Sequence, residues 1–473
     1  MSARTAYFSF RKYPIAMFFL AFILTACGGG GGGEGNLGAV CTPITGVVFV
    51  NTITTGTGDG TCWANAFTTV QAGVDAAVSG NQVWVKQGTY KAAANNASVL
   101  IMKDGVAVYG GFAGSETAVA QRPFPLAETV LSGDLTGDGF TADDSYHVVV
   151  GASNARLDGF AVSGGNAVGS APDNSGAGMY NATVSALEVA NVTFRANTAT
   201  NGGGMYNNVS SPSVSNVIFN GNAAGQGGGM YNTASSPTVS NVSFGGNTAV
   251  SGGGMFNTLS SNPTVSNVSF SGNSAVSGGG MNNALASSAT VSNVSFRANT
   301  ASGNGGGMYH SSNTNPTVSN VTFSGNSAAN GGGMYSSLGS ATVTNVSFSG
   351  NSASGDGGGM YITGGSPTVT NGVFWGNTTA GSHADIAGTA TVDYTCSQQD
   401  LTASGTNDIT LTASPFVGGV DGELFLDQYS PCVNSGSDAA ATSAGLSWIT
   451  LTTSWWGNTD SGTVDRGRHY AVP

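Results

Sequence analysis

Gly252-Gly253-Gly254-Met255-Phe256-Asn257-Thr258-Leu259-Ser260-Ser261-Asn262-Pro263-Thr264-Val265-Ser266-Asn267-Val268-Ser269-Phe270-Ser271-Gly272-Asn273 is most of one period of a repeat. Its Gly-Gly-Gly-Met signature, softened once to Gly-Ala-Gly-Met, ends at Met179, Met205, Met230, Met255, Met281, Met308, Met334 and Met360, in steps of 25 to 27 residues. A Phe-x-x-Asn marker keeps pace at Phe194, Phe219, Phe244, Phe270, Phe296, Phe323, Phe348 and Phe374. Each Phe precedes the next Met by 11 or 12 residues, and each Met precedes the next Phe by 14 or 15. The extra residue enters stretches of Ser, Asn, Gly and Ala, so it lengthens a turn and leaves the flanking strands in register. A period of this length means stacked units, each burying its apolar face against its neighbours.

Side-chain parity defines the unit. Val265 on one side of Asn267, and Val268 and Phe270 on the other, cannot share a face of a straight strand, because side chains alternate with period two. A one-residue bend at Asn267 restores a common face, and Asn tolerates the left-handed conformation that such a bend requires. Asn191, Asn216, Asn241, Asn293, Asn320, Asn345 and Asn371 occupy the equivalent position. Stacked, these eight predict a ladder of side-chain amides. Asn197, Asn222, Asn247, Asn273, Asn299, Asn326, Asn351 and Asn377 predict a second at the next turn. The glycines turn a corner too tight for a Cβ, and the Met after them fills the interior beside the Phe column. Three short strands and three bends per coil describe an all-β, single-stranded right-handed parallel β-helix. Propeller repeats of about 40–45 residues do not fit, and helical repeats tolerate this Gly and β-branched content poorly.

Composition restricts function. Gly supplies 75 of 473 residues, only 8% are charged, and the net charge is −12. Between Gly159 and Ala384 the charged residues are Asp173, Glu188, Arg195, Arg297 and Asp356. Nucleic acid needs clusters of Lys and Arg to neutralise phosphate, and none is present. Neither Cys-x-x-Cys nor a Cys/His cluster occurs, so neither a metal nor another cofactor is expected. Asp134-Leu135-Thr136-Gly137-Asp138-Gly139, with Asp143 and Asp144, is either a Ca²⁺ loop or a solvated acidic loop; it lacks the ligand order of an EF-hand. His147, His310 and His383 are isolated in sequence and read as surface or turn residues.

The chain divides into five segments. Residues 1–26 read as an export signal, with Arg4, Arg11 and Lys12 ahead of the apolar run Tyr13 to Leu24. Residues 27–43 hold Cys27 and a glycine tether, 44–175 an N-terminal cap and irregular coils, 176–380 the regular repeat, and 381–473 the last coils and a cap containing Trp448, Trp455 and Trp456. An amphipathic helix is expected over Ala64 to Val78, with Phe67, Val70, Val74, Ala77 and Val78 inward, closing the first coil. Besides Cys27 the cysteines are Cys41, Cys62, Cys396 and Cys432. Three pairings are possible, and chain distance favours the local pairs Cys41–Cys62 and Cys396–Cys432.

Leu24-Thr25-Ala26-Cys27-Gly28 resembles the lipobox of bacterial lipoproteins, which implies acylation of Cys27 and a lipid-anchored protein at the outer membrane. Cys62-Trp63-Ala64-Asn65-Ala66-Phe67, Trp84 to Tyr90 and Tyr109 to Glu116 resemble bacterial secreted proteins of the pectin-lyase-like β-helix fold. The Gly-Gly-x-Met/Phe-x-x-Asn repeat is similar to that of chlamydial polymorphic outer membrane proteins. Ser430 to Gly436, followed by Asp465-Arg466-Gly467, resembles a choice-of-anchor segment. These resemblances imply a cell-surface protein whose partners are the membrane, through its lipid, and a surface glycan or a host or cell-surface protein. Polysaccharide lyases and hydrolases share the fold, so catalysis is the rival expectation. Lyases of this shape use an Arg or Lys base beside acidic Ca²⁺ ligands, and hydrolases use paired carboxylates. Within the repeat only Arg195 and Arg297 are available, about four coils or roughly 20 Å apart, with no carboxylate at the matching coil position nearby. No catalytic residue is assigned on this basis. An enzymatic site would fall in the irregular first coils, near Lys86, Lys91, Lys103 and Asp104.

Overall fold

The computed structural model describes residues 41–440, except 55, 140, 312–313, 382, 400, 402–404, 419–423, 428–429, 434 and 438, together with the strand pair Leu451–Thr452 and Tyr470–Ala471. Cys27, the export segment and the three C-terminal tryptophans lie outside the described residues. The body is a right-handed parallel β-solenoid of about 12 turns. From Thr264 onward each regular coil supplies one long strand such as Thr264–Ser271, one two-residue strand such as Ser274–Ala275, and one strand opened by methionine such as Met281–Asn283. In the first coils the long strand is split at the bend, as in Glu188–Ala190 and Thr193–Arg195. These stack into a bent sheet, a narrow sheet and a methionine sheet, all parallel and in register, with Val265 on Val291, Phe270 on Phe296 and Met255 on Met281.

The bends are where parity places them. All eight bend asparagines have φ between 53 and 56°. Val265, Val268 and Phe270 consequently all face the interior, at 0, 3 and 0% exposure. At the glycine corner, Gly252 has φ +64°, and a Cβ on Gly253 would stand 2.5 Å from the Gly279 carbonyl oxygen. Successive phenylalanine rings stack at 4.6–5.0 Å with interplanar angles of 3–8°. Each contact adds about 0.5–1.5 kcal/mol to the burial itself.

The amide ladder at the second asparagine column is continuous. Asn197, Asn222, Asn247, Asn273, Asn299, Asn326 and Asn351 each donate to the side-chain oxygen of the next at 2.9–3.0 Å. The last member, Asn377, donates to the buried Asp385 carboxylate at 2.9 Å. The expected ladder at the bends is a correction: it is interrupted. Asn320 donates to Asn293 and Asn371 to Asn345, while Asn191 donates to Asp158. Asn216, Asn241 and Asn267 are exposed, because a left-handed residue bulges outward and carries its side chain toward solvent.

A further ladder lies inside the methionine sheet, two residues beyond each Met. Asn181, Asn207, Asn232, Asn257 and Asn283 are fully buried and linked at 2.8–2.9 Å. It stops at His310, which pairs in register with Asn283 and Ser336. Both His310 ring nitrogens, Asn283 Nδ2 and Ser336 Oγ are buried without a hydrogen-bond partner. The surface reading of His310 is therefore corrected: it is 0% exposed, and burial pushes its pKa down to about 3.

The capping helix is shorter than expected, Val70–Ala76. Thr69 caps it by accepting from the Ala72 N–H, while Phe67 is drawn into a bridge with Val50 and Val78 stays exposed. Gln71 on this helix accepts from the Ile101 N–H at 2.7 Å and donates to its carbonyl at 3.3 Å, completing the first strand of the methionine sheet. At the other end Gln399 treats Ile386, on the last strand, in the same way, at 3.2 and 3.1 Å. Each side-chain amide acts as a one-residue strand on an otherwise open edge. Disulfides join Cys41 to Cys62 and Cys396 to Cys432.

Candidate functional site on the bent sheet

Four arginines of the body, Arg122, Arg156, Arg195 and Arg297, belong to the outer side of the bent sheet or the loop above it. Near its N-terminal end Asp158 is 1% exposed and held by Arg122 at 2.8 Å, by Arg156 at 2.7 Å and by Asn191 at 3.1 Å. Arg156 also pairs with Glu188. The loop from Ala113 to Glu128 rises over these strands. Glu116 anchors it: burial pushes its carboxyl up, but the N–H groups of Ala113, Gly114 and Ser115 outweigh that and leave it below the usual range. The Trp63 indole N–H donates to the Glu116 carbonyl, tying the loop to the first coil.

Beside this loop lies a shallow groove of about 180 Å³, walled by Leu126 and Glu128 and floored by Phe160, Asn191, Thr193 and Arg195. Arg195 and Glu128 pair across it at 2.7 Å, both substantially exposed. The matching coil positions beside Arg195, Ser163 and Ser132, hold no carboxylate, and its partner comes instead from another position of an irregular coil 67 residues earlier. Arg297 sits four rungs along the same column, through Asn220, Gly245 and Ser271.

The residues offered as an alternative enzymatic site do not converge. Lys103 donates to the carbonyls of Ala77 and Asp75 at the end of the capping helix, where a cation suits the helix dipole. Lys91 reaches the Leu135 carbonyl, Asp104 accepts from Asn154, and the Lys86 stem lies against Gly114. In the acidic loop, Asp134, Asp138, Asp143 and Asp144 are engaged by Gly137 N–H, by the hydroxyls of Thr136 and Thr141, and by the N–H groups of Leu135 and Thr141. Among the described residues, no group of three or more His, Cys, Asp or Glu is arranged to hold a metal ion. His147 is stacked on Tyr180 at 4.7 Å with its Nδ1 3.3 Å from the Gly176 carbonyl, and burial lowers its pKa.

Beyond Arg195 the outer side of the bent sheet is polar and open over several rungs, with Thr238, Asn241, Thr264 and Asn267 exposed. It then closes. Ser319, Asn320 and Thr322 are buried, as are Thr344, Asn345 and Ser347. At Asn371 the cover is explicit: its side-chain oxygen accepts from the Ser437 N–H at 2.6 Å and its amide donates to the Ser437 carbonyl at 3.1 Å. Leu411, Leu426 and Cys432 pack on Val373 and Cys396 alongside.

The chain matches no family model and no curated protein. A solved structure does align with it. The A-module of the mannuronan C-5 epimerase AlgE4 from Azotobacter vinelandii matches over 68% of this chain and 94% of that one, with 15% identity and a TM-score of 0.32. At that identity and TM-score the likeness assigns no activity to this chain. Sequence reasoning placed the bend asparagines on this face but missed the Asp158 network and the Glu128–Arg195 pair. Their loop carries no period, so only Asp158, adjoining the regular coils in Leu157-Asp158-Gly159, could have drawn attention.

Proposed function

We propose that this protein is a lipid-anchored, extracytoplasmic cell-envelope β-helix that serves as a binding scaffold, acting as a surface adhesin toward a glycan or protein partner. The observation that carries the reading is the open stretch of the bent sheet. Hydroxyls and amides repeat there at each rung of about 4.8 Å, between the Glu128–Arg195 groove and the covered coils. Shallow contacts repeated along a rigid face sum to useful avidity. The carboxylates near the groove are engaged by guanidinium groups, which suits recognition more than proton transfer. The lipid anchor rests on the lipobox resemblance at Cys27. Metabolic labelling with an alkyne fatty acid tests it, with Cys27→Ser expected to abolish incorporation. Protease shaving of intact cells tests surface exposure, and full protection of the chain would remove the adhesin role. A second reading, a carbohydrate-active enzyme, draws support from the solvent-accessible Glu128–Arg195 pair in its groove. Release of unsaturated or reducing ends from a polysaccharide panel, lost in Glu128→Gln, would favour it.

A further inference from the structure

The covered end of the bent sheet displays how this face binds a main chain. Asn371 uses one amide hydrogen for Asn345, at 2.8 Å, and the other for the Ser437 carbonyl, while its oxygen takes the Ser437 N–H. The N–H and C=O of one residue point the same way only when that residue is extended, so the side-chain amide reads extended backbone. The same bidentate pattern recurs at Gln71–Ile101 and Gln399–Ile386, both on strands. Two residues beyond Asn371, Val373 supplies the apolar contact buried beneath Leu411, Leu426 and Cys432.

Two other coils carry this pair of features, and in one of them, Asn407 with Ile409, the aliphatic already packs against the covered cluster. In the column of Val373, register places Thr193, Ile218, Ser243, Ser269, Ser295, Thr322 and Ser347. The column continues through Cys396 to Ile409. Ile218 is the large aliphatic that stands among hydroxyls on both sides, and it is 47% exposed. Its bend residue, Asn216, is exposed, and its side chain has no hydrogen-bond partner among the described residues. Coil Ser213 to Asn220 therefore repeats the Asn-x-aliphatic surface of coil Thr368–Trp375 without its cover. Ile218 leaves about half of its side chain in water, and a covering apolar side chain would bury that remainder.

We propose that Asn216 and Ile218 form a docking site for an extended polypeptide segment, whose main chain pairs with the Asn216 amide and whose apolar side chain covers Ile218. The site continues the seat that Ser437 occupies on the same face, and it lies one rung from the Arg195–Glu128 groove. It rests on the binding-scaffold reading and narrows the partner to a polypeptide recognised by β-type pairing.

The test uses the full chain and a fluorescein-labelled copy of residues 430–440 with Val in place of Cys432, which keeps an apolar side chain there without a free thiol, read by anisotropy. Saturable binding is expected, weakened at least tenfold in Asn216→Gly/Ile218→Ser. Gly keeps the left-handed bend and Ser restores the residue of the neighbouring coils, so the melting temperature should hold. A peptide N-methylated at the position of Ser437 should also lose binding. Equal affinity in the double variant, or indifference to N-methylation, overturns the proposal. Binding of chitohexaose but not peptide, lost in the double variant, would overturn the polypeptide partner and leave the scaffold reading standing. If neither probe binds, the docking site is refuted; the scaffold reading falls separately, if a glycan and host-protein array also shows no ligand.

Discussion

Coils 238–271 and 317–349 are nearly the same sequence, Thr-Val-Ser/Thr-Asn-Val-Ser/Thr-Phe, yet their outer faces differ completely. In the first, Asn241 and Asn267 stand in solvent; in the second, Asn320 and Asn345 are at 2 and 0% exposure. Inside, the phenylalanine and second asparagine columns do not change. Phe244 and Phe348 are both fully buried in one column, and Asn247 and Asn351 extend one ladder. The repeat thus specifies these two columns locally, whereas its exterior is set by contacts from outside the repeat, such as Ser437 on Asn371.

The sharpest test removes a ring from each coil. Phe244→Ala and Phe348→Ala should each cost about 3–5 kcal/mol, since each deletes two stacking contacts and leaves a cavity. Denaturant unfolding should give nearly equal losses, and a far larger loss at Phe348 would mean that the cover reaches into the core. Next, Cys432→Ser frees the covering segment from Cys396, with an expected loss of about 2–4 kcal/mol. Hydrogen exchange should then quicken at Thr342–Ser349 and Thr368–Trp375 and stay unchanged at Thr238–Gly245.

The third prediction concerns the coil between them. His310→Asn should continue the ladder from Asn283 and raise stability by about 1 kcal/mol near neutral pH. In the wild type, the folded pKa of about 3 lies below the ordinary value of 6.5, so the unfolded chain binds the extra proton between them. Stability is full above about pH 6.5 and falls toward pH 3, by up to about 1.4 kcal/mol per pH unit. Melting curves across that window should be flatter for the variant. The smallest effect contrasts two bends. Asn371→Gly should cost about 1 kcal/mol through the Ser437 pair, while Asn216→Gly should stay within a few tenths.

The interior was legible because period and parity are strict: Val265, Val268 and Phe270 demanded a bend at Asn267, and φ 54° is found there. Parity also carried more than was taken from it. Met308 faces inward, so His310, two residues on in the same strand, must face inward too, and the same step from each earlier Met finds Asn181 to Asn283. Treating His310 as a lone residue rather than a strand position hid this. The bend column failed as a continuous ladder because a left-handed residue turns its side chain outward, where neighbours outside the coil decide its partners. Glu128–Arg195 and Asn371–Ser437 join repeat to non-repeat, and no periodicity encodes such contacts.

The two glutamine amides that finish the methionine sheet lie outside the regular units, on the capping helix and just beyond the final methionine-sheet strand. The column therefore has no intrinsic number of rungs. A coil could be excised or duplicated as a cassette, much as a bead is added to a string whose knots stay tied, and the reach of this protein becomes an inherited quantity that recombination within its own gene can edit.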